Sequence, residues 1–202
     1  MSSVRTLTLA DAALPRVGVL RDTLLVVGAS LLTAAAARIA LPLPWSPVPL
    51  TGQTFAVLLT GAALGARRGA LAQALYLIEG AMGLPFFAGG LGGPLALAGP
   101  TGGFLLAFPL AAAVTGLCAE HGWDRRFGTM LASMLIGSAA ILVSGLAVLS
   151  HFVPADRLLA AGLLPFLPGD VIKAVAAALV LPAAWRFANG HPPQAGRGRF
   201  GA

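Results

Sequence analysis

A chain of 202 residues that is 57% hydrophobic, with 26 glycines and only 10% charged residues, is not composed like a soluble domain, which carries about 45–50% apolar residues (glycine included) and about 25% charged; in water its surplus apolar surface would aggregate. It is too apolar to stay disordered, and at roughly 150 residues per domain it reads as one all-α integral membrane protein. The net charge of +6 does not point to nucleic acid, because the basic residues form no aromatic-interleaved face and fall instead between apolar runs, as topology signals do.

Six stretches approach the roughly 20 apolar residues that cross a bilayer. A cytoplasmic N-terminal segment, residues 1–22, precedes a six-helix membrane domain, residues 23–187, whose first span covers 23–41. Residues 41–49 contain Pro42, Pro44, Pro47 and Pro49, which remove backbone donors and fix φ, so a stiff, extended outer loop with an interfacial Trp45 is expected. The second span, 51–66, and the third, 69–84, are short; a single re-entrant hairpin over 51–84 is the alternative. Gly61, Gly65 and Gly69 are four apart and mark close helix packing. A glycine-rich outer loop follows over 86–99. The fourth span, 100–119, is kinked by Pro109 and holds the only cysteine, Cys118, as packing. The fifth covers 128–150, a third outer loop ends at 165–168, and the sixth span covers 168–187. Residues 188–202 form a flexible cytoplasmic tail, rich in Gly, Pro and Arg from Gly190 onward.

The arginines test this count. Arg5, Arg16 and Arg21 precede span one, Arg67 and Arg68 separate spans two and three, Arg125 and Arg126 separate four and five, and Arg186, Arg197 and Arg199 follow six. Six spans put all of these on one side, leaving Arg157 on the other and Arg38 near the outer end of span one. Positive charge stays in the cytoplasm, so both termini are expected there. Small residues at 34–40 resemble a signal-peptide cleavage region, but Asp11 and Asp22 spoil the leader and the apolar run is long.

Ionisable groups at the membrane centre cost roughly 2.5–3.5 kcal/mol or more, so those inside spans are functional candidates. Asp170 and Lys173, the only lysine, are three apart and share a helix face, with Pro168 in the first turn and Asp170 near the positive end of the helix dipole. They read either as an ion pair that pins the helix end or as a polar anchor for a ligand arriving from outside. Gln53 opens span two at the same level and reads as a cap or as a second anchor, since an amide donates and accepts. Tyr76 and the weaker candidate Glu79 lie on span three. All five groups fall in the outer half, with no comparable group in the inner half of spans one to three. That asymmetry argues against a simple channel or a proton relay.

A Walker loop requires Gly-Lys-Ser/Thr, yet Lys173 stands between Ile172 and Ala174. No His-Glu-x-x-His motif exists, and His121, His151 and His191 are scattered. No ATPase or metal chemistry is therefore expected, and an intramembrane hydrolase is a weak rival.

Four segments resemble the BioY family. Residues 47–61 (PVPLTGQTFAVLLTG) match a Pro-Val-Pro-x-Thr-x-Gln-Thr-Phe-Ala-Val signature. Residues 76–90 (YLIEGAMGLPFFAGG), 99–104 (GPTGGF) and 165–173 (PFLPGDVIK) match the next three, in order and at family spacing. The likeness covers about residues 23–187. It implies an S-component-like six-transmembrane-helix bundle that is not an enzyme: the high-affinity biotin-binding substrate-specificity subunit of an energy-coupling factor (ECF) importer. Such a subunit takes biotin from outside, and a membrane coupling subunit and two cytoplasmic ATPases supply the work. A solitary biotin facilitator and an S component for a different vitamin are the alternatives. The implied location is a bacterial inner (cytoplasmic) membrane. No cofactor is implied beyond biotin as the transported ligand, and the lipid bilayer is the surrounding partner.

Position by position, Asp170 and Lys173 match the family's acidic and basic pair, Gln53 its glutamine, and Tyr76 a ligand-facing position. Phe86, Phe87, Phe104 and the Trp45 loop could wall the rings of biotin. Some members carry a charge in the loop after span three, whereas residues 89–93 have none here, so a glycine-rich nest of backbone N–H groups or Lys173 is left to meet the biotin carboxylate. The family docks its coupling subunit through small residues of span one, where Ala29, Thr33, Ala36 and Ala40 offer such a face; ordinary internal packing of small residues is an equal expectation.

Overall fold

In hydrocarbon the backbone must satisfy its own hydrogen bonds, which restricts a spanning chain to helices or closed barrels. The computed structural model describes residues 7–14 and 18–189 and takes the helical course. In chain order it contains α1 (Leu9–Ala13), α2 (Val19–Ala36), β1 (Ala40–Leu43), β2 (Ser46–Thr51), α3 (Gln53–Leu64), α4 (Ala66–Ala81), α5 (Leu95–Ala98), α6 (Gly102–Leu106), α7 (Phe108–Glu120), α8 (Phe127–Leu149), α9 (Ala155–Gly162) and α10 (Phe166–Asn189). Helix thus stands at each of the six expected spans. Among the described residues, four stretches are long and apolar enough to cross a membrane: α2, Gly102–Glu120 (α6 and α7 end to end), α8, and Ala155–Phe187, which contains α9 and most of α10.

The second and third spans are the shorter ones, as their sequences suggest. α3 has 12 residues and α4 has 16, about 18 and 24 Å at 1.5 Å per residue. Two of the three spaced glycines do bring helices together. A Cβ on Gly61 would lie 2.3 Å from the Ala112 carbonyl oxygen in α7, and one on Gly69 would lie 2.8 Å from the Gly61 Cα. Gly65 acts differently. At φ +87° it makes the turn from α3 into α4, a conformation that suits glycine. The fourth span breaks at Ala107, with Pro109 following in the first turn of α7, where its missing N–H costs nothing.

Four boundaries need correction. Residues 41–49 are extended as expected, but as paired strands and not a free loop: β1 and β2 pair antiparallel, Ala40 with Thr51, Leu41 with Leu50 and Leu43 with Ser46. The prolines exclude helix, but a two-stranded ribbon tolerates them because each strand is an edge. The third outer loop contains the helix α9, and Ser46 Oγ donates to the Ala161 carbonyl oxygen at 2.7 Å, tying the hairpin to it. α2 begins at Val19 and ends at Ala36, several residues ahead of the expected span. α10 starts at Phe166, two residues early, and extends to Asn189; the expected tail from Gly190 onward lies outside the described residues.

The helix ends on the arginine-rich side are fastened by charge. Asp11 accepts from Arg21 at 3.0 Å and Arg68 at 2.7 Å, and Arg68 also meets Asp22 at 3.0 Å. Burial works to raise the Asp11 carboxyl, but hydrogen bonds from Arg68, Thr8 and Arg21 outweigh it and hold the group down at about 2. At the loop between α7 and α8, Trp185 Nε1 donates to the buried Asp124 at 2.5 Å, and the Arg125 guanidinium lies 4.5 Å from the Trp185 ring centroid. Burial pushes the Asp124 carboxyl up.

Polar groups are not confined to the outer half of the first three spans, contrary to the sequence reading. Gln73, fully buried midway along α4, donates to Thr33 Oγ1 of α2 at 3.1 Å and to Thr60 Oγ1 of α3 at 3.0 Å. The hydroxyls pass the bonds on to the Ala29 and Val57 carbonyls, each at 3.0 Å.

Candidate functional site

Helix α10 places Asp170 and Lys173 one turn apart, facing the junction of β2 and α3. Lys173 Nζ donates to the Thr51 carbonyl oxygen at 2.9 Å and to Thr54 Oγ1 at 2.7 Å, and stands 3.7 Å from Asp170 Oδ1. Asp170 accepts from Ser138 Oγ of α8 on its other oxygen. The pair is thus held from two sides, with Asp170 9% and Lys173 23% exposed. Gln53, the first residue of α3, is buried and donates through its amide to the Tyr76 hydroxyl. Tyr76 in turn donates to the Phe86 carbonyl oxygen at 3.0 Å.

These groups border a cavity of about 120 Å³. Gln53, Thr54, Asp170 and Lys173 form its polar wall, and Phe87, Phe104, Phe108, Phe166, Ile141 and Leu142 its apolar one. A cleft of about 270 Å³ lies beside it under the hairpin, and Pro47, Pro49 and Ala88 line both spaces. A larger groove of about 910 Å³ runs between α2 and α4 at their arginine-rich end, but Asp11, Asp22 and Arg68 there are engaged with one another.

Five of the sequence candidates therefore come together: Gln53, Asp170, Lys173, Phe87 and Phe104. Four do not. Tyr76 lies behind Gln53, with no exposed surface, its ring edge-on to Phe87 at 5.6 Å and stacked on Phe108 at 6.2 Å. It positions the glutamine and does not face the cavity. Phe86 gives its carbonyl to Tyr76, while its neighbour Phe87 turns inward to line the cavity. Trp45 is 65% exposed at the hairpin tip. Glu79 accepts from Ser30 of α2, away from the cavity. On span one, Ala29 and Thr33 are buried against the chain's own helices and Ala36 is half-buried; Ala40 lies past the helix end, in β1. The exposed side of α2 carries Leu24, Gly28, Leu31, Leu32 and Ala35.

Sequence reasoning missed Thr54, Ser138, Phe108 and Phe166. Ser138 carried a signal: a hydroxyl within a long apolar run borders something polar more often than lipid. Thr54 follows Gln53 and becomes significant only once Lys173 is known to reach it.

A sequence model of the BioY family matches residues 5–190. The chain belongs to the BioY family. The biotin transporter BioY of Thermotoga maritima is 45% identical over 139 residues, covering 68% of this chain and 81% of that one. The probable biotin transporter BioY of Pyrococcus horikoshii is 38% identical over 149 residues, covering 74% and 86%. Among solved structures, the crystal structure at 2.1 Å of the S-component for biotin from an ECF-type ABC transporter superposes with a TM-score of 0.72 at 23% identity, covering 83% of this chain and 92% of that one; the likeness is one of fold. The four BioY-like segments occupy β2–α3, the end of α4 with its following loop, the start of α6, and the start of α10. Each supplies residues to the one cavity: Gln53 and Thr54, then Phe87 and Ala88, then Thr101 and Phe104, then Phe166, Asp170 and Lys173.

Proposed function

We propose that this chain is the substrate-specificity subunit of an ECF-type vitamin importer and binds biotin in the outer cavity. The observation that carries the reading is the convergence of four separated BioY-like segments on one enclosed space with three polar anchors. Biotin presents a ureido group with two donors and one acceptor, an apolar fused ring system and a carboxylate tail. Asp170 is suited to accept a ureido N–H, and Lys173 or Gln53 to donate to the ureido oxygen. Phe87, Phe104 and Phe108 offer the ring system an apolar enclosure. An analogue lacking the ureido group would strand these buried partners at about 1–3 kcal/mol each, which makes the wall selective.

The chain has no Gly-Lys-Ser/Thr segment to cradle a nucleotide phosphate, so work from ATP would come from two cytoplasmic ATPases through a membrane coupling subunit. The arginine distribution supports a cytoplasmic-membrane location with both termini inside. The subunit needs no cofactor of its own.

The test is binding and uptake together. The purified chain in detergent is expected to retain biotin. A biotin-auxotrophic host lacking its own importer is expected to take biotin up when the chain is expressed with the coupling subunit and ATPases. Uptake by the chain alone would make it a solitary facilitator; failure of the purified chain to bind biotin would refute the reading.

A further inference from the structure

Arg38 is an arginine on the outer side, where the charge bias of this chain places few. It follows the C-terminus of α2, is exposed, and among the described residues forms no ion pair. The other outer cations stand apart or are engaged. Arg157 is 79% exposed on the surface, 4.0 Å from the equally exposed Asp156, and lines neither space. Lys173 is committed to the polar wall beside Asp170, where Thr51 and Thr54 also accept from its Nζ.

The Asp170–Lys173 pair is neutral as a unit, and Asp170 would repel a second carboxylate brought close to it. An anionic ligand seated on that wall must have its charge met elsewhere. Arg38 reaches across to the loop between α4 and α5: Nη2 donates to the Pro85 carbonyl oxygen at 2.5 Å, and Nη1 stands 3.2 Å from the position a Cβ on Gly90 would take. Gly90 has φ +78°, so glycine is favoured there and the guanidinium meets no side chain. The same loop borders both spaces, with Phe87, Ala88 and Leu91 on the cavity and Ala88 and Gly89 on the outer cleft. A guanidinium has five N–H donors in a fork matched to a carboxylate, and Pro85 uses one of them.

We propose that Arg38 receives the carboxylate of the transported ligand at the mouth of the cavity, opposite the Gln53, Asp170 and Lys173 wall. The inference rests on the biotin reading. It assigns to a residue at the end of span one the positive charge that residues 89–93 lack, and makes Arg38 a determinant of anionic against neutral ligands.

The test compares biotin with its uncharged methyl ester, using the purified full chain and calorimetric or fluorescence titration. The parent is expected to prefer biotin at least tenfold, with the preference falling as salt is raised. Arg38→Gln is expected to weaken biotin about tenfold, leave the ester unchanged and so erase the preference. Arg38→Lys should keep part of it, and Arg157→Gln, on the other outer arginine, all of it. Ester binding reports that the site is intact. Arg38→Gln keeping the preference would overturn the inference while leaving the biotin reading in place. If both Arg38→Gln and Arg38→Lys lose ester and biotin alike, Arg38 is a structural tie to Pro85 and the inference also fails. A parent that binds neither ligand would remove the biotin reading itself, and this inference with it.

Discussion

The Asp170–Lys173 pair can be split into its two possible contributions, pinning a helix end and holding a ligand, by removing one charge and then both. Lys173→Met leaves Asp170, 9% exposed, with Ser138 as its only hydrogen-bond partner among the described residues. It also strips the donor from the Thr51 carbonyl and the Thr54 hydroxyl. Removing one partner of a buried pair costs about 3–5 kcal/mol. Lys173 keeps 23% exposure, so water screens part of the interaction and about 2–3 kcal/mol is expected, or roughly 5–10 °C in melting temperature for a chain of this size. Asp170→Asn combined with Lys173→Met leaves no uncompensated charge and should recover most of that loss, a non-additivity expected of groups in contact. Biotin affinity should behave differently. It should fall roughly a hundredfold, about 2.7 kcal/mol, in Lys173→Met and stay low in the double variant, because stability returns without the anchors. The assay is thermal unfolding in detergent alongside equilibrium biotin titration of the same samples. A double variant that recovers both stability and affinity would reduce the pair to a helix pin; a Lys173→Met protein that melts like the parent would contradict the buried geometry.

Two further predictions follow from groups around this site and at the arginine-rich helix ends. Tyr76→Phe removes the acceptor of the Gln53 amide and the donor to the Phe86 carbonyl; because Gln53 faces the cavity, ligand or water can take its N–H, so biotin affinity should drop only about tenfold, near 1.4 kcal/mol. A loss beyond a hundredfold with an unchanged melting curve would show that Tyr76 touches the ligand directly. Asp11, held at about 2 against an ordinary 3.8, is ionised in the folded protein, so its contribution is complete above about pH 4 and is lost as pH falls through about 2. Asp11→Asn should lower the melting temperature at pH 5 and narrow the difference from the parent toward pH 2, and a constant difference across that range would refute the assignment.

What the sequence reveals here follows the cost of each feature. Gln53, Asp170 and Lys173 are legible because polar groups in an apolar chain are expensive and are kept only where they meet. Tyr76 and Glu79 are conspicuous for the same reason, but the spans are apolar on nearly every side, so no stripe fixes which way a helix face turns; one group proves to sit behind the cavity and the other against α2. Phe86 and Phe87 are adjacent and chemically equal, and only the path of the loop selects Phe87. The prolines at 42, 44, 47 and 49 rule out helix, yet pairing Ala40 with Thr51 is a contact between strands that no local pattern announces. α9 escapes notice because span counting treats everything between two apolar runs as connection. The small residues of span one fit internal packing and an outer face equally well, and the burial of Ala29 and Thr33 shows which side they serve within this chain.

The bridge from Gln73 to Thr33 and Thr60 has a mechanical corollary. It bolts α2, α3 and α4 together at mid-depth, where no water waits to replace a broken bond, so sliding any one of them past the others would strand amide and hydroxyl groups in oil. These three rods are held to move as a block, and α7, whose Ala112 carbonyl abuts Gly61 of α3, is packed directly against that block.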